Sequence, residues 1–135
     1  MNYKIEEIEG IGAARAAKLA KSGIKDTDTL LKQGATARGR KRIAAVAEVS
    51  PVRLLRWVNM ADLMRISGVG QEFSELLEAA NCNTIKQLRR RNAENLTRRM
   101  AEINEQKKLV RSVPTLSQVT RWIEQAKTLD PVITY

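Results

Sequence analysis

The stretch IEGIGA, residues 8–13, returns later in the chain as ISGVGQ, residues 66–71. We call these the first and second glycine turns. Each has an apolar residue, one spacer and then Gly-apolar-Gly, and each leads into a segment with helical periodicity. Glycine reaches backbone angles that are closed to other residues, and it lets a second backbone or a phosphate approach. We therefore predict two tight turns, each pinned by a buried side chain and each opening a helix whose free N–H groups suit an anion.

The sequence around the two turns repeats as well. Matching residues lie 58 positions apart early in each half and 65 apart later, as in Gly10 and Gly68, Leu19 and Leu77, Leu30 and Leu88, and Trp57 and Trp122. The second half therefore has about seven extra residues, which we place around residues 102–113. A period this long indicates a duplicated unit. We predict two repeats, residues 1–64 and 65–135, that share a core because no Gly/Pro/Ser-rich linker separates them.

Helical spacing runs through the whole chain, and no segment is convincing as a strand. Residues that cap helices precede several apolar stripes, at Asp26, Thr36, Ser50, Thr84, Asn92 and Thr115. Thr84 with Gln87 and Thr115 with Gln118 fit capping boxes. We predict an all-α protein of about nine or ten helices, packed as one compact unit, with residues 132–135 as a tail against the core.

Three buried groups are specific expectations. In the helix after the first turn, small residues should allow close packing at Ala13, Ala16, Ala17 and Ala20. In the helix after Thr36, the expected buried face is Ile43, Val46 and Ala47. Trp57 and Trp122 lie on apolar stripes, so we predict that they pack in the core rather than stack on bases.

The composition favours an acidic partner. The 135 residues carry a formal charge of +9, which suits nucleic acid, although a solvated cationic surface is the alternative. Histidine is absent and Cys82 is the only cysteine, which excludes structural zinc sites, internal disulfides and catalysis that needs histidine. No apolar run is long enough for a bilayer, and acidic residues stand where a signal peptide has its apolar core. We predict a cytoplasmic protein without a membrane partner.

Both glycine turns resemble the helix-hairpin-helix motif. The two copies read Ile8-x-Gly10-Ile11-Gly12-x3-Ala16-x2-Leu19 and Ile66-x-Gly68-Val69-Gly70-x3-Ser74-x2-Leu77. Only Ser74 departs from the pattern, since it stands where the motif has alanine. In that family the hairpin N–H groups hold a phosphate, nearby Lys or Arg side chains add charge, and paired motifs grip both strands across the minor groove. The resemblance implies sequence-independent binding of the DNA backbone.

The whole chain also resembles an uncharacterised bacterial family catalogued as domain of unknown function 4332. This resemblance is carried by WVNMADLMRI at residues 57–66, by EQKKLV at residues 105–110 and by the ending PVITY at residues 131–135. It implies no established activity.

The two turns differ in the charge of the helix that follows. The first is followed by Arg15, Lys18 and Lys21, and the second by Glu72, Glu75 and Glu78. Carboxylates near a phosphate oppose its binding, so the first turn is the better seat. A further basic cluster opens the helix after Thr36, where cations are unfavourable to the helix dipole. The predicted nucleic-acid-binding residues are Gly10, Ile11, Gly12, Ala13, Arg15, Lys18, Arg38, Arg40, Lys41, Arg42, Gly68, Val69 and Gly70.

Enzymatic readings have little support. The chain has no Walker loop, no strand before the Gly-x-Gly and no paired cysteines, and Lys18 and Lys21 lie on a solvated face. We predict a non-enzymatic protein without cofactor or metal that binds double-stranded DNA. RNA stays open as the ligand. The alternative is a scaffold for protein–protein interaction in which both hairpins are purely structural.

Overall fold

The computed structural model describes residues 2–135, so Met1, the start of the predicted 1–64 repeat, lies outside the described residues. The described part is all-helical, with eight α-helices and a short 3₁₀ helix at Ile5–Glu7. The α-helices are α1 (Gly12–Lys21), α2 (Thr27–Gln33), α3 (Ala37–Ala47), α4 (Pro51–Leu63), α5 (Gln71–Ala79), α6 (Ile85–Leu88), α7 (Ala93–Lys107) and α8 (Leu116–Thr128). Over residues 2–135 the sole β pairing is an isolated bridge between Lys4 and Asp26. The all-α prediction is confirmed.

Side-chain caps start most of these helices where the sequence predicts them. The capping residues are Asp26, Thr36, Ser50, Thr84, Asn92 and Thr115, and each accepts a hydrogen bond from the N–H three residues ahead. Thr115 and Gln118 close the predicted capping box. The other predicted box does not close, because the Gln87 side chain accepts from the N–H of Asn83 instead of Thr84. Within residues 2–135, α1 and α5 are the α-helices without a side-chain cap.

The backbone conformation recurs at matching places in the two halves. Gly10 and Gly68 have φ angles of +94° and +92°. Left-handed residues follow the first helix of each half, at Gly23 and Asn81, and the third, at Glu48 and Lys108. Each half thus runs in the same order, from a glycine turn through four α-helices.

The buried apolar side chains form two clusters. One is built from residues 5–64 and the other from residues 63–126. The predicted single shared core is therefore wrong. The two clusters meet at the end of α4, where Leu63 packs in the second cluster and Met64 in the first. Trp57 and Trp122 are both buried, which confirms their predicted core role.

Polar contacts and the tail join the halves. The buried Asp62 carboxylate accepts from the N–H of Ile85 at 2.9 Å and from Arg65 Nη1 at 3.0 Å. Burial raises the pKa of Asp62, although both bonds oppose the shift. At the chain end, the N–H of Thr134 donates to the carbonyl of Ala35 at 2.7 Å, so the tail packs back on the first half as predicted.

Two predicted buried faces need correction. Val46 is 38% exposed, and the buried face of α3 consists of Ile43, Ala44 and Ala47 with the glycine and arginine that precede them. In α1 only Ala16 of the four alanines is buried, because α1 packs against α3 and the 3₁₀ helix and leaves the faces of Ala13 and Ala17 open. Cys82 is buried, and its burial raises the pKa of that thiol to about 12. No helix within residues 2–135 is both long enough and apolar enough to cross a membrane.

Candidate nucleic-acid interface

The first glycine turn is held by two buried isoleucines. Ile8 and Ile11 are each 1% exposed, and the N–H of Ile11 donates to the carbonyl of Ile8 at 3.3 Å. Gly10 and Gly12 both have positive φ angles, +94° and +67°. These angles are open to glycine and strained for most other residues, which is why the turn has glycine on both sides of its buried apolar residue.

The start of α1, the helix that follows this turn, is exposed to solvent. α1 begins at Gly12 without a side-chain cap, and Gly12, Ala13 and Ala14 are all exposed. A Cβ placed on Gly12 would meet no other atom within 4 Å. The first-turn N–H groups of a helix have no intrahelical partner, and they carry the positive end of the helix dipole. The start of α1 therefore has the geometry that accepts an anion.

The second glycine turn shares only part of this backbone geometry. Gly68 has a positive φ angle like Gly10, but Gly70 has a φ angle of −103° where Gly12 has +67°. The N–H of Val69 donates to the carbonyl of Ile66 at 3.1 Å, as in the first turn. The ring of Tyr3 lies 3.9 Å from the Cβ position of Gly70, and Gln71 Nε2 donates to Glu9 Oε2 at 3.3 Å. The N-terminal segment of the chain thus lies against the start of α5.

Acidic side chains gather on the same side as the second turn. Burial raises the pKa of Glu75, and the carboxylates of Glu9, Glu78 and Glu72 raise it further. Arg56 is the balancing cation, since its Nε donates to Glu78 Oε2 at 2.7 Å and this bond raises the pKa of Arg56. The negative field around Glu75 on α5 disfavours an incoming phosphate at this face of the helix. Glu9 belongs to the first turn, yet its carboxylate joins this cluster between the halves.

Three basic side chains belong to the surroundings of the first turn. Arg15 is half-buried on α1. Lys18 forms an ion pair with Glu48 at 2.7 Å, so its charge is partly neutralised. Arg53 was missed at the sequence level: its Nη2 donates to the carbonyl of Gly10 at 3.4 Å, and its guanidinium lies 5.6 Å from the ring centroid of Trp57. Its position four residues before Trp57 was the available signal, because such residues share a helix face.

The basic cluster at the start of α3 is not one surface. Arg40 is 6% exposed and donates to the carbonyls of Gly34, Ala35 and Thr134 at 2.9, 3.0 and 2.7 Å. Its guanidinium holds the tail on the first half, so Arg40 is not at the surface with the other basic residues of this cluster, as its predicted role in nucleic-acid binding requires. The remaining basic α3 patch is exposed and comprises Arg38, Lys41 and Arg42.

The basic α3 patch lies away from the first glycine turn. Lys18 in α1 pairs with Glu48 just after α3, while Ser22 after α1 lines one groove with Arg42 and Val46. The two helices therefore run antiparallel, and Arg42 lies near the end of α1 that is remote from the turn. Because α1 has 10 residues, about 15 Å separate the two regions.

These observations define a compact all-helical protein with two glycine turns, one followed by an open helix start and one covered by its own chain. The chain belongs to the family described as Domain of unknown function (DUF4332), whose model matches residues 9–129. Comparisons with curated proteins and with solved structures found no match.

Proposed function

We propose that the protein binds double-stranded DNA without sequence preference, and that the first glycine turn acts as a helix-hairpin-helix seat for one backbone phosphate. The observation that carries the proposal is the uncapped, exposed start of α1 behind a turn pinned by Ile11. Helix starts of this kind bind phosphate through backbone N–H groups, which read no base.

Local charge supports this seat. Arg15 and Arg53 flank the turn, and the whole chain carries a formal charge of +9. Arg53 has a second role, because its bond to the Gly10 carbonyl and its position over Trp57 fix the turn. Since phosphate binding by basic groups releases counterions, the affinity should depend strongly on salt.

The basic α3 patch extends the proposed footprint along the DNA. On one strand of a duplex, phosphates rise about 3.4 Å along the axis per nucleotide. A separation of about 15 Å along α1 therefore corresponds to about four nucleotides. The patch would contact the backbone at that distance from the phosphate held by the turn. In this proposal the start of α5 takes no phosphate, because Tyr3 and Glu9 cover it.

Binding of a labelled duplex, followed by fluorescence anisotropy at several salt concentrations, tests the proposal. With about four phosphates contacted, the affinity should fall about 100-fold between about 50 and 200 mM salt. Ala13→Glu adds a carboxylate at an exposed position in the first turn of α1, where a negative charge favours the helix dipole and so preserves the fold. We expect about tenfold weaker binding and a salt slope smaller by about one.

The matched control is Gln106→Glu, which makes the same charge change at an exposed position of α7. It should bind nearly as the unaltered chain does. Equal effects of the two variants would show that only total charge matters and would reject the seat at the first turn. Absence of binding at low salt would reject DNA binding altogether. Partners that persist in affinity purification after nuclease treatment would then favour the protein-scaffold alternative.

A further inference from the structure

A cavity of about 540 Å³ lies beside the second glycine turn. It is lined by Ser67, Gly68, Gln118, Arg121, Trp122 and Gln125. Four of these residues come from α8 and the others from the turn itself. The cavity is separate from the start of α5, which Tyr3 and Glu9 cover.

The side-chain oxygens of both glutamines that line the cavity accept hydrogen bonds from backbone N–H groups. Gln118 Oε1 accepts from the N–H of Thr115 at 2.9 Å, and Gln125 Oε1 accepts from the N–H of Ser67 at 2.8 Å. These bonds fix which end of each side-chain amide carries oxygen. A glutamine amide has one acceptor oxygen and one NH₂ group, so each side chain retains its NH₂ for a ligand.

The other polar groups of the cavity are donors as well. Arg121 is exposed and forms no ion pair within residues 2–135. Trp122 Nε1 lies 3.4 Å from the place where a Cβ on Gly68 would stand, so a side chain at this position would crowd the indole N–H. The Ser67 hydroxyl adds a group that can donate. No carboxylate is among the lining residues.

In the first half, the positions equivalent to this cavity are occupied by side chains of the protein itself. Arg53 stands at the position of Gln118, and its guanidinium lies over Trp57 and bonds to Gly10. Arg56 stands at the position of Arg121 and is paired with Glu78. Trp57 Nε1 is buried there without a hydrogen-bond partner. Among the described residues of the second half, no arginine lies over Trp122 and no carboxylate pairs with Arg121. The hydrogen-bond donors and the Arg121 guanidinium of the cavity are therefore available to a ligand.

We infer that this cavity binds a phosphate group, held by the Arg121 guanidinium and the NH₂ groups of Gln118 and Gln125. A planar guanidinium with several converging N–H donors suits the oxygens of a phosphate. The phosphate comes either from a small phosphoryl compound or from a nucleic-acid backbone. The site does not depend on the proposed function, because it uses neither the first glycine turn nor the basic α3 patch.

The two tryptophans provide the readout. In the nitrogen-15 NMR spectrum of the full chain, each gives one indole N–H signal. Inorganic phosphate is titrated at constant ionic strength, with chloride as the balancing anion. The Trp122 signal should shift and saturate, while the signal of the sealed Trp57 should stay in place.

The test variants keep the folding contacts of the glutamines. Gln118→Glu and Gln125→Glu each retain the oxygen that accepts from the backbone and replace the NH₂ group with a carboxylate oxygen. Each should weaken phosphate binding more than about tenfold, because a donor is lost and a repulsive charge is added. The matched control is Gln87→Glu, whose oxygen likewise accepts from a backbone N–H, that of Asn83, but which lies outside the cavity. It should bind phosphate as the unaltered chain does.

A second titration with duplex DNA identifies the source of the phosphate. If the duplex moves the Trp122 signal and inorganic phosphate competes with it, the cavity takes a backbone phosphate. If only inorganic phosphate moves the signal, it takes a small phosphoryl compound. The inference is overturned if neither titration gives a saturable shift of Trp122, or if Gln118→Glu, Gln125→Glu and Gln87→Glu weaken the shift equally.

Discussion

Replacement of Arg40 by methionine separates a structural role from a binding role in the basic cluster of α3. Methionine keeps most of the buried aliphatic stem and removes the guanidinium. The change deletes the bonds to the carbonyls of Gly34, Ala35 and Thr134. It also deletes the contact of the guanidinium with the ring of Tyr135, at 5.7 Å from the centroid.

The expected loss of stability depends on whether each carbonyl oxygen finds another hydrogen-bond donor once the guanidinium is removed. The Ala35 oxygen keeps its bonds from the N–H and hydroxyl of Thr134, and the exposed Thr134 oxygen can bond to water. Gly34 is buried, and losing a charged partner there costs about 1–3 kcal/mol. Loss of the cation–π contact at an exposed ring adds about 0.5–1 kcal/mol. We expect the free energy of unfolding to fall by about 3 kcal/mol in total.

Urea unfolding followed by circular dichroism measures this loss. With a denaturant slope of about 2 kcal/mol per molar, the midpoint should fall by about 1.5 M. Arg38→Met is the matched control on the same helix, where the side chain is exposed, and it should change stability by less than about 0.5 kcal/mol. In duplex binding the order should reverse: Arg38→Met should weaken binding, and folded Arg40→Met should bind as the unaltered chain does.

An Arg40→Met midpoint equal to that of the unaltered chain would refute the assigned structural role. A loss of DNA affinity at undiminished stability would return Arg40 to the nucleic-acid-binding residues that the sequence predicts. Shortening the chain by its last two residues should destabilise it too. When Arg40→Met and the shortening are combined, the loss in free energy of unfolding should be smaller than the sum of the two separate losses, because both remove the contact between Arg40 and Thr134.

Two further predictions concern stability alone. Gly39→Ala should lower the free energy of unfolding by about 2 kcal/mol or more, because the added Cβ would clash with the Gln33 carbonyl. This loss should outweigh the better helix propensity of alanine. Urea unfolding measures the change, and a stabilised variant would contradict the packing. The Glu75 pKa is raised in the fold, so its ionisation costs stability as pH rises above its ordinary value of 4.5. Glu75→Gln should therefore have a higher urea midpoint than the unaltered chain at pH 7 and converge with it on acidification. The surface substitution Glu105→Gln on α7 should change the midpoint at pH 7 by little.

Much of the fold was predictable because its signals are local. Each side-chain cap joins a residue to the N–H three positions ahead, so the helix starts at Thr36, Ser50 and Thr115 are readable from a few residues. The glycine turns are local too, since positive φ angles at Gly10 and Gly68 are a property of the turn itself. Helical periodicity then supplies the apolar faces, although it misjudged Val46, whose exposure depends on which neighbours α3 has.

The candidate site was predictable only in part. The sequence by itself determined where the turns lie, that each starts a helix behind a buried apolar residue, and that the chain is strongly cationic. The tertiary structure alone decided which turn stays open, which arginines remain free and where a cavity forms. Those outcomes rest on contacts such as Gln71 with Glu9, Arg53 with Gly10 and Arg40 with Thr134, which join residues 62, 43 and 94 positions apart. A guanidinium looks the same in a sequence whether it meets solvent or a carbonyl, and only the packing of distant segments determines which one it meets.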